Sequence, residues 1–558
     1  MKIIRFLSLV FLVTIISLFS GFVLSYSAQE RELNILYPTP EITLENFKEL
    51  PQMLNDNNDR KPYGFADVAW KTFVTLNWPA NDGKPLEANA LGKAPLAPRV
   101  WEFYRTPEEV FLPNDENPLN ISKPFARTLK LDLIKGRGAG SPEEESNLEN
   151  IKLQLQRSRN WIKKVIESNK CPDQISVGTE EQNLLLTKIP LVDQKGNYII
   201  VETHLNPNEV NQIVKGKWYN ANTLALYDDE KKKFKFESTL STGAPLEIKA
   251  AWRVFDDKSL PEEKNRYYTA KRVLAIPATQ YVCTTDNCRT DHPVLETDPP
   301  VLEEVEVGLI GFHIAYKIPQ QKLLPSPSST IPASPIPGWV WATFEQVDNL
   351  KVDNGPQKLQ PTLSNPDCDP KNPNKGKCLS NYPYIEWPFL WRDKAPHAVT
   401  RTTDPNAKDA KEQIKNQIPT QVVRLSEQPY CKDSNLSSRT KESLKQQNKN
   451  WQEAFKKVKP DSVWQYYQLV GTQWLQDPGL LTETGSRAHL MSEMRKELRP
   501  GALFNVSMEA YSQTQVNGDS CIGCHVAATL PSSRENSKKV VMSDFSFLLQ
   551  RAKSSSNN

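Results

Sequence analysis

Within this chain of 558 residues, one five-residue run constrains the fold more than any other stretch: Cys521-Ile522-Gly523-Cys524-His525. C-x-x-C-H is the attachment signature of a c-type haem, in which two thiols add across the porphyrin vinyl groups and the adjacent imidazole ligates iron. The spacing follows the chemistry, because two intervening residues set the sulfurs about a vinyl-to-vinyl distance apart and the next side chain lands under the metal. With 8 Cys and 6 His in the chain, chance placement would give such a run in roughly one chain in a thousand. A bare C-x-x-C also suits a redox dithiol or half a zinc site. The first wants a βαβ setting and the second another ligand pair, and no other C-x-x-C occurs. One covalent haem c is therefore expected on Cys521 and Cys524, with His525 as proximal iron ligand. Only 33 residues follow His525, so either these close over the haem or something upstream does.

The N-terminus points to the compartment where c-type haem is attached. Lys2 and Arg5 precede an apolar run from Phe6 to Leu24, and Ser25, Ser27 and Ala28 follow. This is the pattern of an export signal. Cleavage after Ser27 or Ala28 is expected, and an uncleaved segment of this length would be a membrane anchor. The protein is accordingly expected in the periplasm or an equivalent extracytoplasmic space. Six further cysteines, Cys171, Cys283, Cys288, Cys368, Cys378 and Cys431, would lie in an oxidising compartment, compatible with three disulfides in fifteen connectivities. Net charge is +3, which implies no nucleic-acid partner. Contact with a membrane would come only through the N-terminal anchor.

Beyond the signal at 1–28, the chain reads as four regions. Residues 29–183 are mixed and helix-containing, with a helix over Phe65 to Asn77 stopped by Trp78-Pro79 and another between Pro142 and Asn169. Residues 184–348 are β-rich, with strands at Tyr198 to His204, Leu246 to Phe255, Tyr267 to Val282 and Val305 to Lys317. Residues 349–425 form an irregular, proline-rich connection. Residues 426–558 are expected to be a helical haem-binding part, with helices at Lys441 to Lys457, Ser462 to Leu475, Ala502 to Gln513 and Asp544 to Ala552. The fold class is α+β, a mainly antiparallel sheet joined to a helical C-terminal part.

The sixth position of the iron has several candidates. Met542 lies 17 residues beyond His525, and Met508 precedes the motif. In Leu309 to Ala315, strand alternation places His313 on one face with Gly311 and Ala315, and Ile310, Phe312 and Ile314 on the other. The small neighbours would leave room for a flat ligand. His489 is a weaker candidate, and an open sixth position is a further alternative. No catalytic residue can be named: there is no convincing dinucleotide fingerprint, no H-E-x-x-H and no nucleophile elbow.

Landmarks spread over most of the chain carry a resemblance. They are Trp70 to Ala80 (WKTFVTLNWPA), Arg99 to Tyr104 (RVWEFY), Glu247 to Val254 (EIKAAWRV), Gly308 to Lys317 (GLIGFHIAYK), Trp339 to Asn349 (WVWATFEQVDN), Gly471 to Trp474 (GTQW), and Phe504 to His525. In these the chain resembles large exported bacterial proteins of the cytochrome c family with a single C-terminal haem motif. The resemblance implies a large upstream domain packed onto the haem, with Trp252, Arg253, His313, Trp341, Glu345 and Asn349 among its landmarks. The function expected is electron transfer, alone or as the haem subunit of an oxidoreductase, with a redox partner protein. The alternatives are an open-site haem enzyme acting on peroxide or a small gas, with His313, Arg253 and Glu345 as candidate groups, and a non-enzymatic haem sensor or structural subunit.

Overall fold

The computed structural model describes residues 61–86, 97–112, 116–120, 128–130, 191–228, 234–238, 244–256, 259–280, 295–318, 338–364, 388–390, 398–400, 422–424, 437–475, 493–499, 503–510, 520–531 and 541–553, apart from a few positions within them. The N-terminal apolar run, the helix expected between Pro142 and Asn169, His489 and the six cysteines outside the motif lie outside the described residues. No helix among the described residues is long and apolar enough to cross a membrane.

One eight-stranded sheet organises the chain. Its strands are β1 (Thr128–Lys130), β2 (Ile200–Leu205), β3 (Leu246–Phe255), β4 (Thr269–Gln280), β5 (Leu295–Lys317), β6 (Trp339–Gln346), β7 (Tyr467–Leu475) and β8 (Leu498–Arg499). The order is β8-β7-β6-β5-β3-β2, with β4 also paired to β5 and β1 to β4. All pairings are antiparallel except β1 with β4. The long β5 makes this possible: its second half pairs with β3 and β6, its first half with β4. Strands thus come from the N-terminal region, the β-rich region and the C-terminal region alike.

Period-two alternation divides the sheet into two faces. Ile248, Ala250, Trp252, Phe312, Ile314, Tyr316, Val340, Ala342 and Phe344 bury into one apolar cluster. Helices α1 (Lys61–Leu76) and α3 (Ser437–Val458) cover this face. Phe73 of α1 stacks on Phe344 at 4.3 Å and meets Phe312 and Trp464 edge-on. Trp70 lies 5.8 Å from Trp451 and donates to Asn448, which joins the two helices. Helix α1 ends where Asn77 Nδ2 caps the Phe73 carbonyl and Pro79 forbids continuation.

The other face carries Glu247, Lys249, Ala251, Gly311, His313, Ala315, Trp341, Thr343, Glu345 and Gln473. Helix α2 (Pro207–Gly216), residues 503–510, the motif and residues 541–553 cover it. Asn206 begins α2 by accepting from Glu209 N, and Pro207 pre-sets its first turn.

The expected strands and the helices at Phe65 to Asn77 and Lys441 to Lys457 are all present. Three expected helices are not. Ser462 to Leu475 forms a 3-10 turn at Val463–Tyr466 followed by β7, a strand with partners on both sides. Within Ala502 to Gln513, the described residues 503–510 are irregular and turned, because Asn505 and Val506 bond to β6 and not to their own helix. Within Asp544 to Ala552 only Leu548–Arg551 is helical, as a 3-10 turn. The expected irregular connection contains a two-stranded pair, Pro388–Leu390 with Ala398–Thr400.

Candidate haem-attachment site

The motif folds as one helical turn, α4 (Cys521–His525), seated on the end of the second face. A strand caps it. Gln473 of β7 accepts from Ile522 N at 2.7 Å through Oε1 and donates to Ser520 Oγ at 3.1 Å through Nε2. Gln473 so supplies the acceptor that the first turn of a helix lacks, and it ties the motif to the sheet. Cys521 is buried, with its amide and Sγ directed at the Leu503 carbonyl. Burial, helped by nearby Glu509, pushes the Cys521 thiol well above its ordinary range. Cys524 is exposed, and neither thiol is in a disulfide.

His525 is held from behind. Its Nδ1 lies 2.7 Å from the Phe545 carbonyl, so Nδ1 carries the proton and Nε2 keeps its lone pair. Trp341 and Phe547 flank the ring at 5.1 and 5.2 Å. Burial pushes the imidazole down to about 4, with the Phe545 hydrogen bond and Glu509 opposing and neighbouring Lys249 and His313 adding to the shift. At neutral pH the ring is therefore neutral, the form a metal ligand needs.

The Phe545 carbonyl is positioned at a conformational cost. Asp544 and Phe545 are consecutive left-handed residues, φ 51° and 71°, each costing about 1–3 kcal/mol for a non-glycine residue. Several ties hold them. Asp544 accepts from Phe236 N at 2.8 Å and is ion-paired with Lys317, while Ser543 N bonds the Ala528 carbonyl and Leu530 N the Val541 carbonyl. The Phe545 ring packs edge-on against Trp341.

On the sheet beside the motif runs a polar cross-strand row, Lys249, His313 and Thr343. His313 Nε2 is 3.4 Å from Glu509 Oε2. Burial alone would raise the Glu509 carboxyl, but His313, Lys249 and the Asn505 amide hold it below the usual carboxylate range. Asn505 donates to Thr343 Oγ1 and the Phe344 carbonyl, and Glu345 accepts from Val506 N. The segment that carries Glu509 is thereby fixed over β6.

The structure brings Cys521, His525 and Met542 into one cluster with Trp341 and Ala315. His313 stands on the same sheet face, two residues from Ala315. Met508 packs in a separate cluster with Ile310, Ala251 and Val506. The room expected above Gly311 is filled by protein: a Cβ there would collide with Ser507 Oγ and stand 3.2 Å from Met508 Cε. Ile310 departs from the expected alternation. A register shift between Ala251 and Trp252 places it opposite no β3 residue, and its side chain packs with Val506 and not with Phe312 and Ile314. Of the other landmarks, Trp252 is in the opposite, apolar face, Arg253 pairs with Glu263, and Asn349 donates to the Ile310 carbonyl.

Gln473, Lys249, Glu509 and the Phe545 carbonyl are site groups that sequence reasoning missed. They are ordinary residues spread from 249 to 545, and no local pattern distinguishes them. Among the described residues no three His, Cys, Asp or Glu converge as a metal-ion ligand set; an axial haem histidine needs none. Two thiols outside any disulfide, one buried and one exposed, with a histidine whose Nδ1 is bound to a carbonyl, fit the donor set of a c-type haem. Comparison with protein-family models, curated proteins and solved structures finds no match for this chain.

Proposed function

We propose that this chain is an exported c-type cytochrome with one haem c on Cys521 and Cys524 and His525 as proximal ligand. It transfers electrons by itself or as the haem subunit of an oxidoreductase, in the periplasm or an equivalent space and with a redox partner protein. Its whole-chain resemblance to large exported cytochrome c proteins agrees with that reading. The observation that carries it is the His525 imidazole, fixed through Nδ1 to the Phe545 carbonyl within a turn of the Cys521 and Cys524 thiols. Haem bound there would supply one-electron exchange between ferric and ferrous iron. The chain's own residues bind and orient: Gln473 anchors the turn, Phe545 sets the imidazole tautomer, and the Trp341 and Phe547 rings exclude water from it.

His313, on the sheet face that carries the motif and with its Nε2 3.4 Å from Glu509, would be the candidate to hold the sixth position. Met542 belongs to the segment that binds Nδ1, three residues before Phe545, and is bridged to Thr529. Three extended residues reach about 10 Å at most, too short to round a porphyrin edge from the Nδ1 side to the opposite face. Met508 is engaged with the cluster over Gly311.

The test is expression with a c-type maturation system followed by a pyridine haemochrome assay. One covalent haem per chain is expected, lost in a Cys521→Ala, Cys524→Ala double variant; a wild-type protein without covalent haem sinks the proposal. The His313–Glu509 couple also suits a second reading, an open-site enzyme in which an imidazole backed by a carboxylate moves a proton for peroxide or small-gas chemistry. Carbon monoxide separates the two. Low-spin iron that does not bind it excludes the open site, and a ferrous form that binds it readily argues against simple electron transfer.

A further inference from the structure

Behind His525, on the same sheet face, two buried carboxylates and a half-buried one gather around Lys317. Glu209 of α2 is fully enclosed, and neither of its oxygens has a hydrogen-bond donor. Glu247 of β3 is half-buried, and its enclosed Oε1 has no donor either. Asn206, the cap of α2, donates to the Leu246 carbonyl and accepts from the Leu246 amide, so the first turn of α2 lies against the start of β3 and the Glu209 and Glu247 carboxyls meet there, with the Ser546 hydroxyl on Glu247. Lys317, itself buried, is ion-paired with Asp544. Lys235 and Glu237 face Lys317 from the segment ahead of β3. With Lys317 engaged by Asp544, no cation among the described residues is ion-paired with Glu209 or Glu247.

Two touching carboxylates in a dry site are costly to ionise together. A proton on one of them donates to the other and supplies the missing donor. Burial raises Glu209 well above the carboxylate range, with Glu247 and Asp544 reinforcing the shift and Lys317 opposing it. Burial and Asp544 raise Glu247 too, against hydrogen bonds from Ser546 and Glu209. A proton is the ligand that two touching carboxyls without a donor between them can share.

The pair is wired to the motif through the backbone. Ser546, which meets Glu247, follows Phe545, and Asp544, which holds Lys317, precedes it. The Phe545 carbonyl between them is the group that binds His525 Nδ1.

We propose that Glu209 and Glu247 form a proton-binding site whose occupancy is tied to the redox state of the group held by Cys521, Cys524 and His525, an inference that rests on the haem reading above. The reduced protein holds one proton shared between the two carboxyls. When a one-electron acceptor protein removes an electron, the site gains one positive charge and the shared proton leaves to water past half-buried Glu247. When a one-electron donor protein returns the electron, one proton is taken up from water.

The experiment is spectroelectrochemistry on the full holoprotein from about pH 5 to pH 9. The wild-type potential is expected to fall toward about 59 mV per pH unit within that window, the value for a tenfold change in proton activity at one electron, and to flatten in Glu209→Gln. A pH-independent wild-type potential, or an unchanged slope in a folded Glu209→Gln variant, overturns the proposal. Glu247→Gln serves as the second variant if Glu209→Gln does not fold by circular dichroism, with the same outcomes. If the haemochrome assay finds no haem, the redox link falls with the haem reading. The shared proton is then judged by infrared spectroscopy: a carboxylic acid C=O stretch that persists at neutral pH and vanishes in Glu209→Gln supports the pair, and its absence in wild type overturns it.

Discussion

The two faces of the sheet are made by the same strands, one residue out of step, and they do different work. The face under α1 and α3 is a continuous aromatic core around Trp70, Phe73, Phe312 and Phe344, and its ionisable groups gather at one end around Arg99, Arg272, Glu102, Glu202 and His204. The face under the motif is broken into smaller apolar clusters, with Lys249, His313, Glu509, Lys317, Asp544, Glu209 and Glu247 buried between them. An all-apolar face can be packed by shape alone. A face with buried polar groups needs a partner for each, and those partners come from residues 503–510 and 541–553, which in turn position the motif. Stability and chemistry are thus separated by the pleat of a single sheet.

Five substitutions would break or sharpen that contrast. The largest effect is expected on the aromatic face, where Phe73→Ala should cost about 3–5 kcal/mol in denaturant unfolding while leaving covalent haem on the folded fraction. If haem attachment fails in protein that is folded, the two faces are not separable. On the polar face, His313→Ala removes the partner of buried Glu509 and should cost about 1–3 kcal/mol, and in the holoprotein it should convert the haem spectrum to one that binds carbon monoxide. An unchanged spectrum would remove His313 from the iron. Gln473→Leu leaves Ile522 N–H without its acceptor and should cost a similar or smaller amount, about 1–2 kcal/mol; lower covalent haem yield at unchanged sheet content would mark it as a positioning residue.

The smallest effects are in the pH dependence, and the faces should differ in sign. Burial raises Glu102, but Arg272, Tyr268 and the Arg99 amide outweigh it, so its folded value lies below the unfolded one. Its contribution is present above the ordinary carboxylate range and is lost as pH falls through the depressed value. Glu209 is the reverse. Its folded value lies above the unfolded one, so the native state binds more protons between the two and stability declines as pH rises through that window. Stability profiles of Glu102→Gln and Glu209→Gln should therefore flatten on opposite limbs, by about 1.4 kcal/mol for each pKa unit involved. Flattening on the same limb would contradict the assignment of either carboxyl.

Much of the sheet was legible in the chain. Leu246 to Phe255 alternates so regularly that both its strand and its faces could be read, and His313 was placed correctly with Gly311 and Ala315. Ser462 to Leu475 misled because Val463, Tyr466, Tyr467, Val470 and Trp474 recur at helical spacing, whereas pairing with strands on both sides holds the segment extended. Asp544 to Ala552 misled for another reason. Its local propensities suit a helix after Ser543, but Lys317 and the Phe236 amide, more than two hundred residues away, hold Asp544 left-handed.

By itself the sequence determined the C-x-x-C-H spacing of Cys521, Cys524 and His525 on which the haem proposal rests, since a local motif needs no fold to be read, and it determined the alternation that gives the sheet two faces. Only the tertiary structure decided which imidazole nitrogen is free, which strand residue caps the motif, and which carboxyls are buried together. Those outcomes depend on hydrogen bonds and desolvation among residues from 209 to 545, brought together by sheet register. Register is a property of the paired strands and not of any one of them.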